Sequence, residues 1–581
     1  MKQRNLFTTW FLPFSLIASL SISGCNEKPA VHPEGPVKTV SVILPKDADS
    51  VMYRIAEILS SRIEERCNAK VTIGGDGDLK IGLVIKPGIG PEGFSIDSVA
   101  GDHLRIAGND TRGVLYGVGK LLHNSAYSAE GFTATKWRGT SIPEKPVRGM
   151  YLATHFYNYY QTAPIREVQR YIEDLSLWGV NTILVWYDMH HFNGFESPEA
   201  TGFRDRLRQF METARKLDVG IGFTMIGNEG YANSPSKVQA VPGRWRGGHY
   251  PTDICPNKPG GMEYILKTKS QFFDWCRDLK PDYICIWPYD QGGCASADCQ
   301  PWGSNGFVKC AKGISAMARE KIPGVKVIIS TWYFDSTEWK GLSNLLARDH
   351  SWADMILAEG EAPGKEKFNL PMVGFPEISM YNTFPWGGFG ATPLPNHLQG
   401  QWKKVQDKLA GGFPYSEGIF DDISKVVYAG LYWNSASPVE QTLREYIAYE
   451  YAPEAEDSIL KVIRILEQNH HMRWWPGELD GVKLLLDWFP SKNVKPQADP
   501  DAEEAYAIVK QTDKILSERA RKSWRWRILY IRTMLDAELK ANGGSPNQAC
   551  INGFKELMRI YHTTEKSDPV VKPPIPGTQN D

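Results

Sequence analysis

A chain of 581 residues, 42% hydrophobic and 23% charged, is too long for one ordinary core and too apolar for a disordered protein, so two or three domains are expected. Lys and Arg number 66 against 67 Asp and Glu, which leaves no global field to draw in nucleic acid. The 19 Trp and 25 Tyr suit sugar-binding clefts and hydrophobic cores alike, so composition alone does not choose between them.

At the N-terminus, Lys2 and Arg4 precede an apolar run from Leu6 to Leu20 that ends in the stretch ISGC, residues 22–25. A basic start, a short apolar stretch and small residues before a cleavage point read as a secretory signal, residues 1–24. Small residues directly before Cys25 resemble a bacterial lipobox, which implies a lipid on the Cys25 thiol; ordinary cleavage beside an incidental cysteine is the alternative. Residues 25–37 are polar and Pro-containing, as expected of a tether. No later segment is long and apolar enough to cross a membrane, so the expected membrane contact is the lipid alone. The expected location is the periplasm or the outer-membrane or cell surface of a bacterium.

Residues 38–140 read as a small α/β domain. KTVSVILP and LKIGLVI have strand character, and between them Val51, Ile55, Ile58, Leu59 and Ile63 recur at helical spacing. EGFSID and DHLRIAG follow as a hairpin-like pair, then a helix at DTRGVLYGVGKLLHN.

From residue 141 to 437 strand and helix patterns alternate. The first strand runs from Arg148 to His155. Its helix buries Ile165, Val168, Tyr171, Ile172, Leu175 and Trp178, with Thr162 as expected cap, Pro164 in the first turn and Gly179 at the end. NTILVWYD, VGIGFTMIGNE, DYICIWPYD, VKVIISTWYFD, ADMILAEGE, PMVGFPEISM and GGFPYSEG supply seven more strands. Helices are expected between most of them, none is obvious after the sixth, and an eighth is available at Ile423–Tyr432. This alternation predicts a (β/α)8 TIM barrel. Residues 438–565 read as helices, a C-terminal helical domain, and the Pro-rich residues 566–581 as a disordered tail.

Eight cysteines follow Cys25. Cys255, Cys294, Cys299 and Cys310 fall in one region without a tight C-x-x-C pair. A Cys294–Cys299 disulfide, a structural metal site and free buried thiols all remain open.

In such barrels chemistry sits at the C-terminal strand ends. Those ends carry His155; Asp188, His190 and His191; Asn228 and Glu229; Asp290; Trp332, Tyr333 and Asp335; Glu359 and Glu361; Glu377; and Tyr415 with Glu417. Trp186, Trp287 and Trp386 are interleaved among them. A ring of acids and indoles at one mouth suits glycoside hydrolysis, in which one carboxyl protonates the leaving oxygen and another attacks or activates water. Any single acid equally suits a helix cap.

The segments GPEGFSI and HLRIAGNDTRGVLYGVGKLL resemble the N-terminal domain of family 20 β-N-acetylhexosaminidases, family 67 α-glucuronidases and family 84 enzymes. VRGMYLATHF resembles their first barrel strand. WPYDQGGC, FPEISM, PWGGFG and PYSEGIFDDI are more similar to uncharacterised barrel lipoproteins of glycan-degrading bacteria. The resemblance implies an exo-acting glycosidase. Family 20 carries an Asp-Glu pair after the fourth strand, where this chain has Asp290 and Gln291; family 84 carries two aspartates there.

Asp290 is the expected proton donor, desolvated by Trp287 and Tyr289. Glu377 is the expected base or nucleophile, Glu417 a hydroxyl-binding carboxylate and Glu229 the reserve acid. His155, Trp186, Trp287, Trp332, Tyr333 and Tyr415 are expected sugar contacts, and Arg244 and Arg246 suit either a carboxylated sugar or the holding of a loop. Adjacent His190 and His191 are not expected to ligate one ion together, and no metal or cofactor is expected in catalysis. The competing reading is a carbohydrate-binding lipoprotein whose barrel has lost catalysis.

Overall fold

A computed structural model describes residues 35–154, 158–242, 252–289, 293–358, 368–378, 392–469, 501–543 and 547–562. The signal, Cys25, most of the tether and the C-terminal tail lie outside these residues. So do His155, Arg244, Arg246, Asp290, Gln291, Glu359, Glu361 and Trp386.

The N-terminal layer is a sheet of β1 (Thr39–Ile43), β2 (Lys70–Ile73), β3 (Leu79–Ile85), β4 (Phe94–Ala100), β5 (His103–Gly108) and, after a separate hairpin of β6 (Ala126–Ser128) and β7 (Gly131–Thr133), β8 (Gly139–Ser141). Its order is β2-β1-β3-β5-β4-β8. The expected hairpin is the antiparallel pair β4 and β5. β2 has no counterpart in the sequence reading, because this edge strand buries little of either face and so leaves no apolar alternation. Helix Ser50–Glu64 buries Ile55, Ile58, Leu59 and Ile63 under the sheet, and Asp49 caps it by accepting from the Met52 N–H at 2.9 Å.

Eight parallel positions follow: β9 (Val147–Leu152), β10 (Thr182–Trp186), β11 (Gly220–Ile226), β12 (Tyr283–Trp287), β13 (Lys326–Ser330), β14 (Met355–Leu357), β15 (Met372–Val373) and the pair β16 (Gly411–Gly412) and β17 (Tyr415–Ser416). Each pairs with its sequence neighbour, and β16 and β17 return to pair with β9. On the other side, parallel bridges Gly374–Gly412 and Glu377–Tyr415 join the seventh position to the eighth. The barrel is therefore closed. Alternate residues point inward, and Tyr151, Leu184, Trp186, Ile226, Cys285, Trp287, Ile328, Leu357, Val373, Phe375 and Phe413 fill the interior. Outward residues pack on the surrounding helices.

The first of these helices is Ile165–Leu177. Thr162 does not cap it: Pro164 takes that position without a side-chain bond, and Thr162 ends a short preceding turn, Tyr159–Thr162. The Thr162 hydroxyl instead lies 3.0 Å from the Asn158 carbonyl and 3.2 Å from that of Tyr561. Gly179, just past the helix, has φ +97°, the left-handed conformation that favours glycine there.

The C-terminal helices Val439–Glu450, Glu456–Gln468, Ala502–Ile515, Glu518–Lys522, Trp524–Ala541 and Gln548–Tyr561 pack on one another, and several of them meet the barrel. Arg525 makes the tie. Its guanidinium reaches Asp422 at 2.8 Å, Asp174 at 3.2 Å and Glu450 at 3.8 Å. From the N-terminal layer, Arg62 reaches the other oxygen of the same Asp174 at 2.9 Å and Glu173 at 3.0 Å.

Candidate active site

Strand alternation carries past the formal strand ends, so Glu377 continues the inward face of Val373 and Phe375, and Glu417 that of Phe413 and Tyr415. Under them lies an aromatic layer. Trp186 and Trp287 meet edge to face with centroids 5.7 Å apart, and Trp287 meets Trp332 at 5.7 Å and Phe375 at 5.1 Å. Phe375 meets Tyr415 at 5.6 Å, and Tyr415 stacks on Tyr151 at 5.6 Å. Trp186, Trp287, Trp332 and Tyr415, singled out in the sequence, thus converge. Phe375 and Tyr151 were missed, although extending the two-residue period of PMVGFPEISM would have placed Phe375 two residues before Glu377 on the same face. Trp186 and Trp287 are only 4% and 3% exposed and form a floor, whereas Trp332, Tyr333 and Tyr415 are half-buried and reachable. Tyr333 has φ +58°, a left-handed conformation uncommon for an aromatic residue.

The carboxylates divide by environment. Glu377 is half-buried as a residue, but its Oε1 is enclosed and accepts no hydrogen bond among the described residues. Burial, and then the negative charge of Asp421, push its carboxyl well above the usual range. Glu417 is buried and accepts a 2.5 Å hydrogen bond from the Tyr415 hydroxyl. Burial first, and then Glu417 and Glu377, raise the Tyr415 phenol, so it stays a neutral donor.

Glu229 follows the third barrel strand, not the fourth. It is fully buried, and Oε1 accepts from the Met189 N–H at 3.0 Å and the His190 N–H at 3.1 Å and lies 2.6 Å from His190 Nδ1. Its neighbour Asn228 joins the third and fourth loops, donating to the Ile254 and Gly293 carbonyls at 3.0 and 2.8 Å and accepting from the Gly293 N–H at 3.0 Å. Adjacency on the chain does not keep His190 and His191 from sharing a partner. Their Nδ1 atoms lie 2.9 and 2.7 Å from the two oxygens of Asp188. Burial works against a charged His190, but Asp188 and Glu229 outweigh it and push its pKa up to about 10. For Asp188 burial is likewise opposed and overcome by the two histidines, and the carboxyl is held well below the usual range.

Asp335 is a helix cap. It accepts from the Thr337 and Glu338 N–H groups, both at 2.9 Å, while Glu338 accepts from the Asp335 N–H at 3.0 Å. Tyr289, expected to desolvate Asp290, sends its hydroxyl to Glu338 of that helix instead. Among the cysteines, Cys255, Cys294 and Cys299 come together, while Cys310 faces Gly227 from helix Gly306–Lys321.

No family model matches the sequence, and no curated protein matches it. Solved structures share its fold. A family 138 glycoside hydrolase targeting pectin rhamnogalacturonan II gives a TM-score of 0.56 at 11% identity, over 90% of this chain and 71% of that one. A family 115 4-O-methyl-α-glucuronidase with specificity for decorated arabinogalactans gives 0.59 at 12%, over 90% and 76%. A family 89 glycoside hydrolase from Clostridium perfringens, in complex with PUGNAc, gives 0.58 at 14%, over 88% and 65%. At such identities the likeness is one of fold, and the fold resemblance drawn from the sequence to barrel glycoside hydrolases holds.

Proposed function

We propose that this protein is a glycoside hydrolase that removes single sugars from glycan or oligosaccharide ends. The observation that carries the reading is Glu377: a carboxyl with a raised pKa, paired across the strands with Tyr415, at the mouth of a closed barrel and above an aromatic layer. A carboxyl raised above its usual range holds its proton more tightly and is suited to give it to a departing glycosidic oxygen. This reverses the roles expected from the sequence. Glu377 becomes the acid, and Asp290, three residues beyond β12, the partner that attacks the anomeric carbon or activates water. As the C–O bond breaks, the Glu377 proton goes to the leaving oxygen and the ionised partner balances the charge developing on the ring.

Glu417 is assigned to sugar hydroxyls, with Trp332, Tyr333 and Tyr415 against the ring faces. Glu229 and Asp188 hold the loop after the second strand and do not touch substrate. A uronic or N-acetylated terminal sugar is the favoured substrate class. Two fold neighbours support it: one is a 4-O-methyl-α-glucuronidase, and another was solved with its substrate GlcNAc-α-1,4-galactose. The proposal includes anchoring through Cys25, motivated by the leader that precedes it.

The test is a panel of aryl glycosides and natural glycans that includes uronic and N-acetylated sugars. The wild type is expected to release monosaccharide, and Glu377→Gln and Asp290→Asn to lower the rate on natural glycans about 100- to 10,000-fold while still binding. Binding without turnover by the wild type would instead establish a carbohydrate-binding barrel.

A further inference from the structure

Three cysteines separated in sequence meet in one buried place beside the barrel mouth. Cys255 follows Ile254, whose N–H donates to the Asn228 carbonyl at 2.8 Å, in the loop after the third strand. Cys294 and Cys299 lie in the loop after the fourth. All three are buried, and their sulfur atoms lie within 4.8 Å of one another. The Cys255 and Cys299 sulfurs are 3.7 Å apart. A tetrahedral zinc with Zn–S bonds of about 2.3 Å spaces its thiolates by about 3.8 Å, so this separation is that of two ligands on one ion.

The surroundings suit thiolates. The Val241 N–H donates to Cys294 Sγ at 3.4 Å and the Asn257 amide to Cys299 Sγ at 3.2 Å. Such second contacts orient metal-bound sulfur and stabilise its charge. The Ser296 hydroxyl lies 3.4 Å from Cys294 Sγ and 3.9 Å from Cys255 Sγ, close enough to complete a fourth corner directly or through water. Lys309, whose Nζ is 2.7 Å from Asn257 Oδ1 and 2.9 Å from the Pro256 carbonyl, brings a positive charge next to the cluster. A disulfide, by contrast, joins two sulfurs at about 2.05 Å and leaves the third buried without use.

We propose that Cys255, Cys294 and Cys299 bind a structural zinc ion that staples the third barrel loop to the fourth. On binding, the three thiols lose their protons to solvent and the ion takes their place, with no change of oxidation state. The ion acts on the reaction only by holding the loops between which Asn228 already bonds. The site stands or falls independently of the glycosidase reading.

The full mature chain, purified with a reductant and without chelator, is assayed for metal by elemental analysis. One zinc per chain is expected. Chelator-stripped protein given Co²⁺ alone is expected to show thiolate-to-cobalt charge transfer and the visible bands of a tetrahedral ion. Zinc is expected to remove three thiols from the count accessible to a thiol reagent. Cys299→Ser is expected to lose the metal, and Cys550→Ser, buried in helix Gln548–Tyr561, to keep it. If Cys299→Ser does not fold, the wild-type cobalt spectrum and thiol count decide alone. Absence of zinc together with an octahedral or absent cobalt spectrum overturns the proposal, as does a disulfide among these three cysteines in a parallel preparation made without reductant and with free thiols blocked at lysis.

Discussion

Glu229 Oε1 lies 2.6 Å from His190 Nδ1, so one buried carboxylate at the end of the third barrel strand holds the loop that leaves the second. The same oxygen takes the Met189 and His190 N–H groups. An acid that looked suited to proton transfer in the sequence is saturated by structural donors on that side.

Removing it should cost stability. Glu229→Ala leaves the Met189 and His190 N–H groups without their acceptor and His190 with Asp188 alone, and is expected to destabilise the fold by about 2–5 kcal/mol. Glu229→Gln keeps an acceptor oxygen and should cost less. Urea unfolding measures both, and a wild-type midpoint for the alanine variant would contradict the role.

The Asp188–His190 pair sets a pH window. The folded pKa of His190, about 10, lies above its unfolded value of about 6.5. Its contribution is therefore complete below about pH 6.5 and is lost as pH rises through about 10. Asp188 is shifted downward, so its share is present above the usual Asp range and is lost only on deep acidification. The melting-temperature gap between wild type and His190→Gln should be widest near pH 6 and should close towards pH 10. A gap that widens with pH would mean that His190 is neutral in the fold.

Glu377 carries the opposite sign from a paired carboxylate. Its folded pKa is raised, so ionisation favours the unfolded chain and the wild type loses stability as pH rises above about 4.5. Glu377→Gln should melt higher than wild type at pH 8 and show no such gain at pH 4. As the acid, Glu377 also predicts activity that falls with rising pH. Its loss should hurt natural glycans far more than aryl glycosides with good leaving groups. Equal losses on both substrate types would return Glu377 to the base or nucleophile role.

Arg525 sits among three carboxylates from three elements. Arg525→Met removes the cation shared by Asp174, Asp422 and Glu450, leaving Asp174 to Arg62 and Glu450 to Arg66 and Asp422 without a guanidinium, with an expected loss of about 3 kcal/mol. Denaturant unfolding reads the size. Faster proteolysis of the C-terminal helices in the variant would show where the structure opens.

Anchoring through Cys25 is tested by fractionation. Cys25→Ala should move the protein from the membrane pellet to the soluble fraction or retain it as uncleaved precursor. An unchanged, fully processed membrane pool would remove the lipid from the account.

Much of the architecture was readable because β-strand and helix periods record burial directly. The helix carrying Ile55, Ile58, Leu59 and Ile63, the hairpin of β4 and β5 and the eight barrel positions all follow that signal. It fails where burial is small, as at β2, and where a cap depends on neighbours, as at Thr162.

What the sequence determined by itself is the order of elements and the placing of acids and indoles at strand ends, since both follow from local pattern. Only the tertiary structure separated those acids. Asp335 became a cap because its own helix begins beside it, Glu229 became an anchor because the β10 loop folds over it, and Glu377 was left with a raised pKa near Asp421. The physical reason is that a carboxyl's proton affinity and hydrogen bonds depend on groups brought by other strands, and chain closure, not local spacing, decides which groups those are.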